Sequence, residues 1–252
     1  LMKILIINPN TSDEFTRKIH HIATKYASSA EIVTKNPSKG PSSIEGVYDE
    51  LLSSAPTLEC AITNLDEFDG FIIACYSDHP VIYALREITK KPVLGIAEAS
   101  MYQACMLGYK FSVVTTNEAW EPLLWDAVKH YGLVERCASV RSTGMSGSEF
   151  ENIGVNSLLN EVFETAQKII LEDHAEVICL GGAVMAGIDI DLREKLDVPV
   201  LDGVVSAVKL MEGLIGYDFE TSKKRAYIRP LFKDHVGMDP LFRAVYKNSD
   251  QI

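Results

Sequence analysis

The chain has 252 residues, of which 47% are hydrophobic, and its formal net charge at pH 7 is −11. This length and apolar content suffice for one large hydrophobic core or two modest ones. The acidic balance argues against binding to nucleic acid or to an anionic membrane surface, because both present negative charge. No apolar run approaches the roughly 18 residues of a membrane helix, and the chain begins with a strand pattern rather than a signal peptide. We therefore expect a soluble, cytoplasmic protein.

The cysteines indicate neither a disulfide framework nor a zinc site. There are five of them, an odd number, and no Cys-x-x-Cys pair occurs. Most of them are expected to be small, buried, apolar residues.

The first half of the chain alternates between predicted strands and helices. Continuous apolar runs predict strands at residues 2–7, 30–35, 70–74 and 92–96, and helical spacing predicts helices at residues 14–27, 48–68 and 98–107. Thr11 or Ser12 is the expected N-cap of the first helix. The irregular loop at residues 37–46 is long enough to be functional, with a plain surface connection as the alternative.

The second half repeats this order. Strands are predicted at residues 111–115, 137–141, 177–180 and 198–201, and helices at residues 118–131, 154–172 and 204–215. A loop is expected at residues 143–148. The helix at residues 204–215 should cross back toward the first half, and a short tail helix is expected near residues 241–246.

A constant offset of 107 residues relates the two halves. It separates Cys75 from Gly182, Asn10 from Asn117, and the segment at residues 92–94 from that at residues 199–201. A constant offset indicates a true internal repeat. The predicted fold class is α/β, with two pseudo-symmetric doubly wound parallel-sheet domains and the active site in the cleft between them. The expected domains are residues 1–97 plus 208–252, which carry Cys75, and residues 98–207, which carry Gly182.

The carboxyl ends of the predicted strands are the expected ligand site, since ligands of open α/β sheets bind there. They bring together residues 8–11, 75–78, 115–117 and 181–185. This set has no phosphate-binding glycine pattern and few metal ligands, so nucleotides and metals are disfavoured. Its amides, hydroxyls and glycine-exposed backbone groups favour a small-molecule substrate.

Cys75 is the leading candidate for acid/base chemistry. A cysteine at a strand-to-helix turn faces the helix N-terminus, which should lower its pKa toward neutrality. An inert, small core residue is the alternative for any single cysteine. The repeat favours Cys75 over Cys60, Cys105 and Cys137, whereas Cys179 lies inside a strand and is expected to pack.

An ordered set of short motifs carries a family resemblance. In chain order they are Asn8-Pro9-Asn10-Thr11-Ser12, Ser43-Ile44-Glu45-Gly46, Ala74-Cys75, Gly95-Ile96-Ala97-Glu98-Ala99, Val114-Thr115-Thr116, Leu180-Gly181 and Pro199-Val200-Leu201-Asp202-Gly203. Together, over about residues 2–225, the chain resembles the hydantoin and allantoin racemases of the aspartate/glutamate racemase superfamily.

The resemblance implies a cofactor-independent isomerase in which two cysteines flank a carbon acid beside a carbonyl. One cysteine removes a proton and the other delivers one to the opposite face. Cys75 matches one of them. The implied substrate-binding residues are Asn10, Thr115 and Thr116 at the carbonyl or ureide edge, Ser43, Ile44 and Gly46 along one wall, and Tyr76, Gly181 and Ala183 beside the cysteine positions. The acidic, apolar-rich chain is compatible with a symmetric assembly, and we expect a homo-oligomer.

The chain departs from the family pattern where the second cysteine would stand, because Gly182 occupies that position. His79 is a candidate substitute base by its pKa range, although it lies on the Cys75 side, and a loop-tip histidine without a role is the alternative. Three functions stay open. They are a racemase-like isomerase of a hydantoin or related cyclic ureide, a single-cysteine decarboxylase of a malonate-type acid, and an inactive small-molecule-binding homologue.

Overall fold

The computed structural model describes residues 1–146, 149 and 152–246. Residues 147 and 148 of the predicted loop at 143–148 lie outside the described residues. The strands are β1 (Met2–Ile7), β2 (Ala30–Lys35), β3 (Gly70–Ile73), β4 (Val93–Gly95), β5 (Phe111–Thr115), β6 (Cys137–Ser142), β7 (Val177–Gly181) and β8 (Val200–Asp202). The helices are α1 (Asp13–Tyr26), α2 (Val47–Ile62), α3 (Pro80–Ile88), α4 (Ile96–Leu107), α5 (Trp120–His130), α6 (Val155–Glu172), α7 (Asp189–Leu196), α8 (Gly203–Gly216) and α9 (Pro240–Ala244).

The strands form two parallel four-stranded sheets of the same topology. The first has the order β2-β1-β3-β4 and the second the order β6-β5-β7-β8. The strands β6, β7 and β8 begin 107 residues after β2, β3 and β4, respectively. The predicted fold class, two pseudo-symmetric α/β units with parallel sheets, is confirmed.

Helix boundaries differ from the sequence predictions where side chains terminate a helix early. The predicted helix at residues 48–68 ends at Ile62, because the hydroxyl of Thr63 lies within hydrogen-bond distance of both the Glu59 and Cys60 carbonyls and the Asn64 amide donates to the Cys60 carbonyl. These bonds satisfy the last carbonyl groups of α2 and let the chain turn. Near the end of the chain, the tail helix α9 starts at Pro240 behind an Asp239 N-cap.

The apolar core extends across both halves. Alternate residues of β1 point to opposite faces of the first sheet, as the period of a strand requires. Leu5 and Ile7 belong to a cluster confined to the first half, whereas Ile4 and Ile6 belong to a cluster that also contains Val113 of β5. The helices α4 and α8 contribute to this shared cluster, so the contact between the halves is itself part of the core.

The exact division into residues 1–97 plus 208–252 and residues 98–207 stays a prediction. No helix in the described part of the chain has the length and apolarity needed to span a membrane.

Candidate active site

A cleft lies where the carboxyl ends of the two sheets face each other. It encloses about 620 Å³, including its open mouth, which is in the range of small-molecule sites. Its first-half wall is formed by Asn8, Pro9, Asn10, Phe15, Ser43, Ile44, Glu45, Ala74, Cys75 and Tyr76, and its second-half wall by Thr116, Trp120, Gly181, Gly182, Ala183 and Val184. Within the described residues, no three His, Cys, Asp or Glu side chains converge as a metal site.

Most residues predicted for the site lie in this cleft, but Gly46 and Thr115 do not. Gly46 is instead the N-cap residue of α2. Thr115 is fully buried and donates its hydroxyl hydrogen bond to the Gly181 carbonyl at 3.0 Å. The Thr115 hydroxyl is therefore bonded within the sheet and is not available to a ligand.

Cys75 follows β3 and is only partly buried. The expectation of a lowered pKa is wrong. Burial raises the pKa of the Cys75 thiol to about 12, and the nearby charge of Glu50 also raises it, whereas a hydrogen bond with Ser77 lowers it. Helix α3 does not begin until Pro80, so its N-terminus does not act on the sulfur directly. Cys75 is therefore a neutral thiol near pH 7, which is the proton-donating form.

His79 is not at an exposed loop tip, and it does not line the cleft. It is fully buried as the N-cap of α3, where its Nδ1 accepts from the Val81 N–H at 3.3 Å. Its Nε2 lies 3.0 Å from the Ser53 hydroxyl. Burial lowers the pKa of His79 to about 4. The imidazole thus has a structural role and is not placed as a substitute base.

Gly182 has extended backbone geometry, with φ −172° and ψ 134°, which any residue adopts. A Cβ there would lie 3.3 Å from Val184 Cγ1 and 3.5 Å from Thr116 Cγ2. Gly181 is different, because a Cβ would approach the Val114 carbonyl oxygen to 2.6 Å. Packing therefore requires glycine at position 181 but not at position 182.

Asn10 is held by its own loop. Its Oδ1 accepts from Asn8 Nδ2 at 2.7 Å and from the Ser12 N–H at 2.9 Å. Ser12 is in turn the N-cap of α1 and accepts from the Phe15 N–H. With Oδ1 fixed, no described residue accepts from Asn10 Nδ2, so two N–H donors remain for a ligand.

Tyr76 and Thr116 present different groups to the cleft. The Tyr76 hydroxyl lies 2.8 Å from the Ser100 hydroxyl in the core, and burial raises the pKa of Tyr76 well above its ordinary value. Only the body of this side chain contributes to the wall. Thr116 uses its carbonyl to accept from Gly144 and Thr143, while its hydroxyl has no partner in the described part of the chain.

Glu45 is a cleft residue that the sequence analysis did not assign. Its Oε2 accepts from Asn117 Nδ2 at 2.9 Å, and its Oε1 accepts from the Ser43 hydroxyl at 3.3 Å. The bond to Asn117 joins the loop after β2 to the second half. The sequence could have indicated this role, because Glu45 lies between two predicted wall residues, Ile44 and Gly46. No motif in the sequence marked the apolar wall residues Phe15, Trp120 and Val184 as part of the site.

The fold and the cleft define a class of α/β proteins in which two repeated parallel sheets face each other across a small-molecule site bearing a thiol. The chain belongs to the Asp/Glu/hydantoin racemase family, whose model matches residues 4–211. The resemblance noted from the motifs is therefore confirmed at the level of the family.

Individual relatives extend this match along nearly the whole chain. A hydantoin racemase of Pseudomonas sp. (strain NS671) is 42% identical over 241 residues, which are 94% of this chain and 95% of the relative. The crystal structure of an allantoin racemase from Pseudomonas fluorescens is 38% identical, with a TM-score of 0.90 over 94% of this chain and 100% of that chain. An allantoin racemase from Klebsiella pneumoniae is 33% identical, with a TM-score of 0.91 over 98% of this chain and 99% of that chain.

Proposed function

We propose that this protein is a racemase-type isomerase that moves the proton at the stereocentre of a 5-substituted hydantoin or a related cyclic ureide such as allantoin. The observation that carries the proposal is the thiol of Cys75 in a cleft that Asn10 and Thr116 also line. The family relationship and the named activities of the relatives support the same class of substrate.

The reacting carbon of such a substrate lies beside a carbonyl group. Cys75 exchanges a proton with one face of this carbon, acting as general acid or base. As the proton leaves, negative charge develops on the carbonyl oxygen, and preorganised donors aimed at that oxygen lower the barrier. Asn10 Nδ2 and the Thr116 hydroxyl serve as these donors, since no described residue accepts a hydrogen bond from either of them.

With Cys75 as acid/base and Asn10 and Thr116 as donors, the first step uses only groups of the chain. An enolate forms by simple proton transfer, and both the acid/base and the donors belong to the chain. Gly182 supplies no proton at the opposite face, so a two-cysteine mechanism is not available to this protein.

Polarimetry tests the proposal. Single enantiomers of a 5-substituted hydantoin and of allantoin are incubated with the protein, and the optical rotation is followed against a protein-free control, since both compounds can racemise unaided. We expect a protein-dependent loss of rotation for at least one substrate from either enantiomer. No loss beyond the control for any of them would reject the function, and phenylmalonate-type acids would then test the decarboxylase alternative.

A further inference from the structure

Racemisation places a proton on the face of the stereocentre opposite Cys75, and this inference rests on the proposed function. Gly182 has no side chain that could carry the proton. Some other group that faces the side of the substrate away from Cys75 must therefore act as acid or base, because general acid/base catalysis needs a proton-carrying group within hydrogen-bond reach of the reacting atom.

The choice among the described cleft residues is narrow. The titratable side chains in the lining are Cys75, Tyr76 and Glu45. Cys75 already serves the first face, and the Tyr76 hydroxyl is bound to Ser100 in the core. Glu45 is the described cleft residue that remains.

The position of Glu45 fits the second face. Although it belongs to the loop after β2, its carboxylate accepts a hydrogen bond from Asn117 at 2.9 Å. Asn117 follows Thr116 at the end of β5, and β5 pairs with β7 at Thr115 and Gly181, directly before Gly182. The carboxylate is thereby tied to the end of β5, the strand that pairs with the one leading to Gly182.

The loop geometry orients this carboxylate. The Ser43 hydroxyl donates to Oε1, and the backbone N–H of Glu45 donates to Asp49 Oδ2 at 3.0 Å, which ties the loop to the first turn of α2. One hydrogen bond to each oxygen leaves further lone pairs free. A base at this position also complements Cys75, because burial keeps that thiol protonated.

We propose that Glu45 is the second acid/base of the reaction, acting on the face of the stereocentre opposite Cys75. The Glu45 carboxylate takes the proton from the stereocentre, the C–H electron pair becomes part of the enolate, and the Cys75 S–H gives its proton to the opposite face. The products are the other enantiomer, a Glu45 carboxylic acid and a Cys75 thiolate. Turnover of the opposite enantiomer starts from this second form and restores the first.

The test measures two rates in D2O, loss of optical purity and exchange of the stereocentre proton, for the unmodified protein and Glu45→Gln. We expect the variant to lose racemisation by roughly 10²- to 10⁴-fold, the usual contribution of a general acid or base. Exchange of the proton that faces Cys75 should be slow in the variant, because this thiol is protonated near pH 7 and must lose its proton before it can act as a base. Urea unfolding of the variant checks that it is folded. Glu118→Gln, which removes an exposed carboxylate next to Asn117, is the charge-matched control and should racemise normally.

A rescue variant makes the assignment specific. In Glu45→Gln with Gly182→Cys, the extended backbone accepts a side chain and the new Cβ meets Val184 at 3.3 Å and Thr116 at 3.5 Å, so racemisation should recover. The assignment is overturned if Glu45→Gln racemises within about threefold of the unmodified protein, a difference too small for a lost acid/base, or if the unmodified protein exchanges the proton without inverting. Absence of any exchange by the unmodified protein would instead reject the proposed function, and the role of Glu45 with it.

Discussion

Glu50 and Cys75 share one hydrogen-bond neighbour, the hydroxyl group of Ser77. The Ser77 Oγ lies 2.5 Å from Glu50 Oε1 and 3.4 Å from Cys75 Sγ. A serine hydroxyl has one proton and cannot donate it to both neighbours at once. Burial raises the pKa of Glu50, the hydrogen bond from Ser77 lowers it, and Asp78 raises it. When Glu50 is ionised, it competes with a Cys75 thiolate for the same proton.

Glu50→Gln should lower the pKa of Cys75, because a negative charge beside the thiol is removed. The pKa should stay above the ordinary value for cysteine, since burial is the larger cause and is unchanged. The measurement is the pH dependence of iodoacetamide alkylation at Cys75, followed by peptide mass spectrometry. Glu59→Gln on the same helix is the control and should leave the profile of Cys75 in place. Superimposable profiles for Glu50→Gln and the unmodified protein would contradict this account.

His79 should make the protein lose stability as the pH falls. Its folded pKa is lowered from 6.5 to about 4, so the unfolded chain binds a proton first. The stabilisation is complete above pH 6.5, declines as the pH falls toward 4, and amounts to about 3 kcal/mol over that window. His79→Asn keeps an N-cap acceptor without titrating. Urea unfolding at several pH values should show that the free energy of unfolding falls less with acidification in the variant than in the unmodified protein. The same fall in both proteins would refute the role of His79.

Arg86 and Glu98 form a buried ion pair, with side chains only 15% and 6% exposed. Glu98 also accepts from the Gly95 N–H at the start of α4, and Arg86 donates to the Val93 carbonyl. Arg86→Met leaves the carboxylate buried and unpaired, so the free energy of unfolding should fall by about 3–5 kcal/mol.

The exposed pair of Lys129 and Asp126 supplies the comparison, with side chains 56% and 71% exposed. Lys129→Met should change the free energy of unfolding by no more than about 1 kcal/mol, because water screens such pairs. Denaturant unfolding measures both variants. An equal fall in the free energy of unfolding for Arg86→Met and Lys129→Met would contradict the explanation from burial.

Adjacent glycines should respond differently to alanine. Gly181→Ala drives a Cβ into the Val114 carbonyl oxygen at 2.6 Å, which should cost about 1–3 kcal/mol as overpacking. Gly182→Ala meets side-chain atoms of Val184 at 3.3 Å and of Thr116 at 3.5 Å, and should cost much less. Denaturant unfolding of both variants distinguishes them, and a larger loss for Gly182→Ala would be the contrary result.

The repeat made the fold predictable from sequence. Strand periodicity is a local pattern and the offset of 107 residues is an internal repeat, and together they indicate two equivalent α/β halves and the equivalence of Cys75 with Gly182. Ser12 was likewise readable as an N-cap, because the residue type itself makes the bond.

The electrostatics of the site could not be read in this way. The pKa of Cys75 depends on burial by distant segments and on Glu50, which lies 25 residues earlier on α2. The direction of the Tyr76 hydroxyl depends on Ser100 of α4, and the role of Glu45 depends on Asn117 across the cleft. These relationships arise from tertiary packing and leave no periodic trace in the sequence.

Proton exchange by Cys75 is the central claim, and proton NMR in D2O measures it directly. Each enantiomer of a 5-substituted hydantoin and of allantoin is incubated with the unmodified protein and with Cys75→Ala. We predict that the unmodified protein exchanges the stereocentre proton above the buffer rate. In Cys75→Ala, exchange should fall to the buffer rate for the enantiomer whose proton faces the thiol. Exchange of both enantiomers by Cys75→Ala at the unmodified rate, or no exchange by the unmodified protein, would contradict the account.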